Sequence, residues 1–396
     1  MTLRTGAFCH GISLTAPANG GEYRTMSFDR RDFLKTAAAG IAASLAEAPL
    51  GAKASLAETL TGAKADPFPT DKDKLLRIAA CSYPIRSIFK SRGQGNPASQ
   101  ELKKKYGEIT MLDFPQFTKD TFPGVTHMDI YSALFGDVTD DSMFTQRPNG
   151  GPGTFDPSSP SGRKWLEKLA AKQASTGVKT QHISNNAPTN LASPDDALRK
   201  AGVDVGKKWL DGAAIIGAKS VRMNSPQALG PSIRPNAIPR SSDGYPRNEE
   251  IIPLFAKAIE SYKEMADHGG NLGIRVTFEN HWGLAADPMN IRIMLDEINH
   301  PYCEASPDFC NWEHEYLLFN GLKALAPYSH TNVHAKYWDR WGDKNDVQRS
   351  ARIMLAGGFK GTFALEYEAG PLNGIEGALY LFKEVMAALS SPVPVV

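Results

Sequence analysis

Four stretches of the chain leave an apolar run on a side chain that can ligate a metal. Arg275-Val276-Thr277-Phe278 exits on Glu279, the segment from Tyr302 on Asp308, His330 to Val333 on His334, and Phe363-Ala364-Leu365 on Glu366. Each run is short and apolar or β-branched, as a strand is. A buried carboxylate at a strand exit is costly unless something positive compensates it. Singly, such a Glu reads as a salt-bridge partner and such a His as a packed core residue. Four of them at intervals of about 30 residues point instead to one shared cation. Three carboxylates and one imidazole suit a hard or borderline dication: Mn2+, Mg2+ or Co2+, with Zn2+ also compatible. The expected chemistry is proton transfer next to a carbonyl, with the dication stabilising charge that develops on an enediolate. Glu279 or Glu366 would take the proton from carbon and the other would return one.

The elements that must position these residues follow from the rest of the pattern. Candidate strands run Leu76–Cys81, Val125–Tyr131, Val178–Ser184, Ala218–Met223, Ile274–Glu279, Tyr302–Pro307, Ser329–His334 and Phe363–Glu368. Gly177, Gly217, Gly273 and Gly361 precede four of them, as glycines do where a helix ends in a left-handed cap. Between the strands lie helical periodicities over Gly162–Ser175, Asp195–Ile216, Ile251–Ala266, Ile291–Ile298, Tyr316–Leu325, Val347–Ala356 and Ile375–Ala387, with a short helix expected within Ile109–Thr118. Strands and helices alternating in this way predict an α/β protein, a single-domain (β/α)8 TIM barrel. A doubly wound open sheet is the alternative, but no Gly-rich phosphate loop follows Cys81 or Tyr131. Pro/Gly-rich connections at Ser91–Ser99, Asp137–Ser161 and Pro226–Arg247 leave from strand C-termini and read as lids or substrate walls.

Around the four ligand candidates stand further polar and aromatic residues. His182 ends the third strand and could reach a substrate hydroxyl; Lys336 could hold an oxyanion. His281 and Asn280 follow Glu279 directly, and Trp282, Trp312, Trp338 and Trp341 cluster after ligand strands, where indole faces suit sugar rings. The proposed substrate-binding set is His182, His281, Lys336, Trp312 and Trp338. Glu368 shares the strand parity of Glu366 and competes with it; His330 lies deeper in its strand and is read as structural.

Glu279 within Phe-Glu-Asn-His, Asp308 on the next strand, His334 in His-x-Lys and Glu366 in Leu-Glu-Tyr together resemble the xylose isomerase-like superfamily of TIM barrels, in its sugar isomerase/epimerase branch. The resemblance spans about Leu75 to Leu389 and is clearest from Ile274 to Gly370. It implies that Glu279, Asp308, His334 and Glu366 bind one dication and that the two glutamates move protons on opposite faces of a ketose. Where the family carries a His a few residues after the metal Asp, this chain has Asn311 and Trp312. The activity it implies is isomerisation or epimerisation of an unphosphorylated sugar or keto-sugar. A lyase or dehydratase of keto-sugars or keto-glycosides on the same site is the alternative, and a non-catalytic sugar-binding protein a further one.

Asp29-Arg30-Arg31-Asp32-Phe33-Leu34-Lys35 before an Ala-rich stretch is similar to a twin-arginine export signal. Residues 1–65 are therefore expected to be a leader, removed or disordered, and 66–396 the barrel. Ala63-Lys64-Ala65 and Ala52-Lys53-Ala54 have the form of cleavage sites. The expected partners are the export machinery and a small carbohydrate, and the expected location is periplasmic or extracellular; a homo-oligomer is also compatible. A net charge of +1 offers no electrostatic case for nucleic acid, and no lipid-anchor Cys follows the leader. Cys81, Cys303 and Cys310 are read as core residues.

Overall fold

The structure, a computed structural model, describes residues 70–93, 95–148, 150–223, 248–281 and 283–391. Arg30 and Arg31, both cleavage candidates, Trp282 and the connection from Pro226 to Arg247 lie outside them. Helix α1 (Asp71–Leu75) leads into β1 (Ile78–Cys81), then α2 (Pro97–Tyr106), α3 (Phe114–Thr121) and β2 (His127–Tyr131). A hairpin of β3 (Phe144–Gln146) and β4 (Pro152–Phe155) precedes α4 (Pro160–Thr176) and β5 (Lys179–Ser184). The remainder alternates: α5 (Asp196–Ile215), β6 (Ser220–Arg222), α6 (Asn248–Leu272), β7 (Arg275–Phe278), α7 (Pro288–Ile298) and β8 (Cys303–Ala305). It ends with α8 (Leu317–Leu325), β9 (Asn332–Trp338), α9 (Val347–Ala356), β10 (Thr362–Ala369) and α10 (Gly374–Ser390).

All eight expected strands form one parallel sheet in the order β8-β7-β6-β5-β2-β1-β10-β9. Its two end strands meet at a single parallel bridge between Asp308 and His334. There the His334 N–H donates to the Pro307 carbonyl and the Phe309 N–H to the His334 carbonyl, each at 3.1 Å. The chain is an α/β barrel of the expected class.

Strand alternation explains both faces of this sheet. Met128, Ile183, Val221, Val276, Val333 and Leu365 join the main hydrophobic core, on the side the helices cover. Their neighbours in sequence, among them Asp129, His182, Arg222, Thr277, His334 and Glu366, are buried but polar, and point inward. Ala79, Cys81 and Ala364 form a separate small cluster; these short side chains on paired β1 and β10 leave room for the polar ones. The interior is thus a hydrogen-bonded polar core, each buried group requiring a partner.

Two glycines illustrate how the strands are launched. Gly177 caps α4 at φ 76°, the left-handed conformation that glycine adopts without a Cβ penalty. Gly361 does not: the positive φ falls on Gly358. At Gly361 a Cβ would meet the Thr331 carbonyl oxygen at 2.3 Å, so close backbone approach, not a helix cap, requires glycine there. Within Asp137–Ser161 the β3–β4 hairpin packs Phe155 against Trp165 and Trp209 at centroid distances of 5.2 and 6.0 Å. This connection is a buttress for α4 and α5, a correction to its reading as a substrate wall.

Glu304 lies low in the barrel interior and is buried. Its Oε1 accepts from the Thr331 N–H at 3.0 Å and its Oε2 stands 3.5 Å from Arg275. Burial outweighs both partners and pushes the carboxyl up to about 7. A folded-state value above the unfolded one gives stability that is present below the unfolded value and is lost as pH rises through about 7. Glu304→Gln is therefore expected to be near-neutral at pH 5 and stabilising by roughly 1–3 kcal/mol at pH 8. Denaturant melts at the two pH values check it; an equal shift at both would refute the assignment.

Candidate active site

Two strand exits and two strand interiors converge near the C-terminal rim; β9 and β10 continue past the residues expected to end them. Glu279 follows β7, Asp308 follows β8, His334 sits within β9 and Glu366 within β10. The ligand-type atoms of Glu279, Asp308 and His334 all lie within 4.8 Å of one another, and all three residues are buried. His334 Nδ1 is 3.5 Å from Glu279 Oε2 and 4.0 Å from Asp308 Oδ2. Both His334 Nδ1 and Asp308 Oδ2 lack a hydrogen-bond partner. These two buried polar atoms and the Glu279 carboxylate could together hold a cation, although Lys336 Nζ already stands 3.3 Å from Asp308 Oδ2.

The opposite edge of the His334 ring is tied down. Its Nε2 is 2.9 Å from Asp129 Oδ2 and 3.2 Å from Ser184 Oγ. Asp129 is in turn held by Asn332 Nδ2 at 2.9 Å, and Asn332 Oδ1 accepts from Thr362 Oγ1 at 2.7 Å. A ladder from the barrel base therefore fixes the imidazole with Nδ1 toward Glu279 and Asp308, as an outer carboxylate does for a metal-ligating His. His182 belongs to this layer. Its Nδ1 pairs with Ser220 Oγ at 2.7 Å, its ring meets that of His334 edge-on at 5.8 Å, and burial lowers it to about 4. It is a neutral support behind His334 and does not line the cavity.

Glu366 stands at the other ring nitrogen, its Oε2 3.7 Å from His334 Nε2, outside the three-residue cluster. Its cross-strand partner in register is Lys336, whose Nζ donates to Glu366 Oε1 at 2.9 Å and to Asn311 Oδ1 at 3.1 Å. The same ammonium lies 3.3 Å from Asp308 Oδ2 and 3.0 Å from Glu368 Oε2. Glu368 is half-buried and also accepts from the Tyr83 hydroxyl at 3.0 Å. Lys336 is thus the cation among three carboxylates, and Glu366, not Glu368, is the one that reaches His334.

Charge sets the protonation states. Burial opposes ionisation of Glu279, but Arg222 and His334 outweigh it and hold its carboxyl below the usual range. Arg222 ion-pairs with Glu279, and Asn311 Nδ2 donates to Glu279 Oε1 at 2.8 Å. Burial likewise opposes ionisation of Glu366, and Lys336 reverses it. Asp308 is different: burial, outweighing Lys336, pushes it up to about 7. His334 is raised to about 10 because Glu366, Glu279 and Asp129 together overcome its burial.

Two chambers that share lining residues open over Glu279 and Glu366, while Asp308 and His334 lie buried behind them. The inner one, about 180 Å3, is lined by Glu279, Glu366, Arg222 and Ser184 among others. The outer one, about 340 Å3, is lined by Trp312, Trp338, Arg340 and Asn311 among others. Tyr83, His281, Lys336 and Glu368 line both. Of the residues expected to bind substrate, His281, Lys336, Trp312 and Trp338 therefore face the cavity; Trp312 is buried and its Nε1 donates to the Phe309 carbonyl at 3.0 Å. Sequence reasoning missed Arg222, Asp129, Asn311 and Tyr83. The signals available were an arginine near the end of the expected strand Ala218–Met223 and the departure of Asn311 from the family pattern.

The fold and this rim define the class. The chain belongs to the xylose isomerase-like TIM barrel family, whose model matches residues 144–385. Among solved structures it is similar to a xylose isomerase-like TIM barrel protein from Mycobacterium smegmatis in complex with magnesium, at 16% identity and TM-score 0.50 over 80% of this chain and 99% of that one. It is similar to L-ribulose 3-epimerase at 12% identity and TM-score 0.52, over 79% of this chain and 95% of that one. The 3-keto-D-glucoside 4-epimerase of E. coli matches at 12% identity and TM-score 0.50, over 78% of this chain and 99% of that one. At these identities the likeness is one of fold. No curated protein matches the chain.

Proposed function

We propose that this protein is a dication-dependent sugar epimerase or isomerase that moves a proton at a carbon next to a carbonyl. The observation that carries the reading is the placement of Glu279 and Glu366 at opposite ring nitrogens of His334, both on the inner chamber and both ionised. A ring bound there presents one face to each carboxylate, so one can take the proton and the other return it. Epimerisation at one carbon is the outcome this two-sided arrangement favours. Glu279, Asp308 and His334 would hold the dication, with Glu366 beside them, and Mn2+, Mg2+ or Co2+ suits the oxygen-rich set. When bound, the ion supplies positive charge where a substrate oxygen becomes negative. Lys336 Nζ, 2.9 Å from Glu366 and 3.0 Å from Glu368, keeps a proton donor within reach of the returning carboxylate. Arg222 keeps Glu279 ionised and borders the chamber, where it can meet a substrate oxygen.

The relatives whose names include epimerases support this reading, as does the family. We also propose the leader-and-barrel division at residues 65 and 66 and export by the twin-arginine route, on the strength of Arg30-Arg31. Incubation of the Mn2+-loaded protein in D2O with free and oxidised sugars tests the activity. Deuterium gained at a carbon next to the carbonyl, with no other change in mass, is the expected result. Loss of water or an aglycone would make it a lyase, and no exchange with any sugar would refute the enzyme.

Metal affinity is expected to depend on pH in two regimes. Protons and dication compete for the same atoms, and in the free protein His334 is raised to about 10 and Asp308 to about 7. Between those values binding displaces one proton, so affinity rises about tenfold per pH unit; below about pH 7 it displaces two, and the slope doubles. Calorimetry in buffers of different ionisation enthalpy counts the protons. An affinity constant from pH 6 to 9 would exclude Asp308 and His334 as ligands.

A further inference from the structure

The cleft has two chambers of unequal size. The inner chamber, at about 180 Å3, is smaller than the roughly 300 Å3 at which ordinary ligand sites begin, and it holds every carboxylate assigned to proton transfer. It is not sealed at the top. Tyr83, His281, Lys336 and Glu368 form a shared rim beyond which the larger chamber, about 340 Å3, continues. A group seated in that outer chamber lies beyond the rim from Glu279 and Glu366, so it is attached to the reacting ring and is not itself the reacting ring.

The outer walls favour one kind of group. The Trp338 indole has the Arg340 guanidinium 4.9 Å from its centroid and Lys336 Nζ 5.7 Å away. Arg340 is fixed by Trp341 at 4.5 Å and by the Glu313 carbonyl at 3.3 Å. The Arg340 guanidinium thus lies over the Trp338 ring, and Glu313 and Asn311 complete the wall of the chamber. Sugar rings have the complementary surface, apolar C–H faces rimmed by hydroxyls. An alkyl or plain aromatic substituent would cover the indole but offer no hydrogen bond to Glu313 or Arg340 on the chamber wall.

We propose that the substrate is a disaccharide-type glycoside whose reacting ring occupies the inner chamber and whose second sugar packs against the Trp338–Arg340 pair, with Arg340 as its hydrogen-bonding partner. This rests on the proton-transfer reading of the inner chamber and adds the substrate class. Trp338 and Arg340 are then specificity-determining residues.

The test compares deuterium exchange from D2O, catalysed by the Mn2+-loaded full chain, for a keto-oxidised disaccharide, the matching keto-oxidised monosaccharide and its phenyl glycoside. The wild type is expected to favour the disaccharide in kcat/KM by about tenfold or more over both. In Trp338→Ala that ratio should fall toward one, chiefly through KM for the disaccharide. Arg340→Ala, at an exposed position, should lower the ratio without endangering the fold. A wild-type ratio near one, a preference for the phenyl glycoside, or a ratio unchanged in both variants would overturn the second-sugar site while leaving proton transfer intact. Absence of exchange with all three compounds would instead overturn proton transfer, and the subsite with it.

Discussion

Glu279→Gln is expected to lower deuterium exchange by about 10^3-fold or more, within or beyond the range that removal of a positioned general base produces. The substitution keeps the shape of the side chain, and Asn311 Nδ2, now 2.8 Å from Oε1, keeps an acceptor. What is lost is the charge. The amide cannot take a proton from carbon, and the proposed dication site loses one of its anionic groups. The change also strips Arg222 of its buried counter-ion, which costs on the order of 3 kcal/mol when one partner of a buried pair is removed. A melt recorded beside the exchange assay separates the two effects. A variant that stays folded and exchanges at the wild-type rate would remove Glu279 from proton transfer.

Asp308→Asn addresses the ion more directly. Oδ1 accepts from the Cys310 N–H at 2.6 Å and the Asn311 N–H at 3.0 Å, and the amide oxygen can preserve both bonds. The fold is therefore expected to survive. Oδ2, which lies 3.3 Å from Lys336 Nζ and 4.0 Å from His334 Nδ1, becomes an NH2 group that cannot bind a cation. Dication affinity should fall by at least about 100-fold, beyond the 10–100-fold typical of losing an outer partner of a ligand. The steep dependence on pH below about 7 should disappear with it, because the proton that Asp308 holds there no longer competes. Calorimetric titration with Mn2+ reads both. Affinity within a few-fold of wild type would place the cation elsewhere.

The strands were legible because each is a short apolar or β-branched run bounded by turn residues, with glycines at many helix ends; each of the eight appears within a few residues of its expected limits. Two elements were hidden by proline. Pro97 opens α2 and Pro152 opens β4, positions where a missing N–H is harmless, yet in the sequence they make both segments look like loop. The candidate ligands could be read because each is a residue type out of place at the exit of an apolar run. Their supports could not. Asp129 meets His334 across 205 positions, and nothing local marks an Asp in β2 as its orienting carboxylate. Asn311, which departs from the family pattern, bridges Glu279 and Lys336, a role visible only once β7, β8 and β9 are set side by side. The inward direction of Glu366 was legible; its engagement with Lys336 depends on the register of β9 against β10.

The last stitch of the barrel lies between Asp308 and His334. The sheet is continuous everywhere else, so the one seam with a single bridge is also where the candidate ligands stand. An ion gripping both side chains would act as a clasp on that seam, and occupancy would be felt by the scaffold as mechanical closure. The amides of His334 and Phe309, which carry the two backbone bonds across it, would then serve as reporters of whether the clasp is shut.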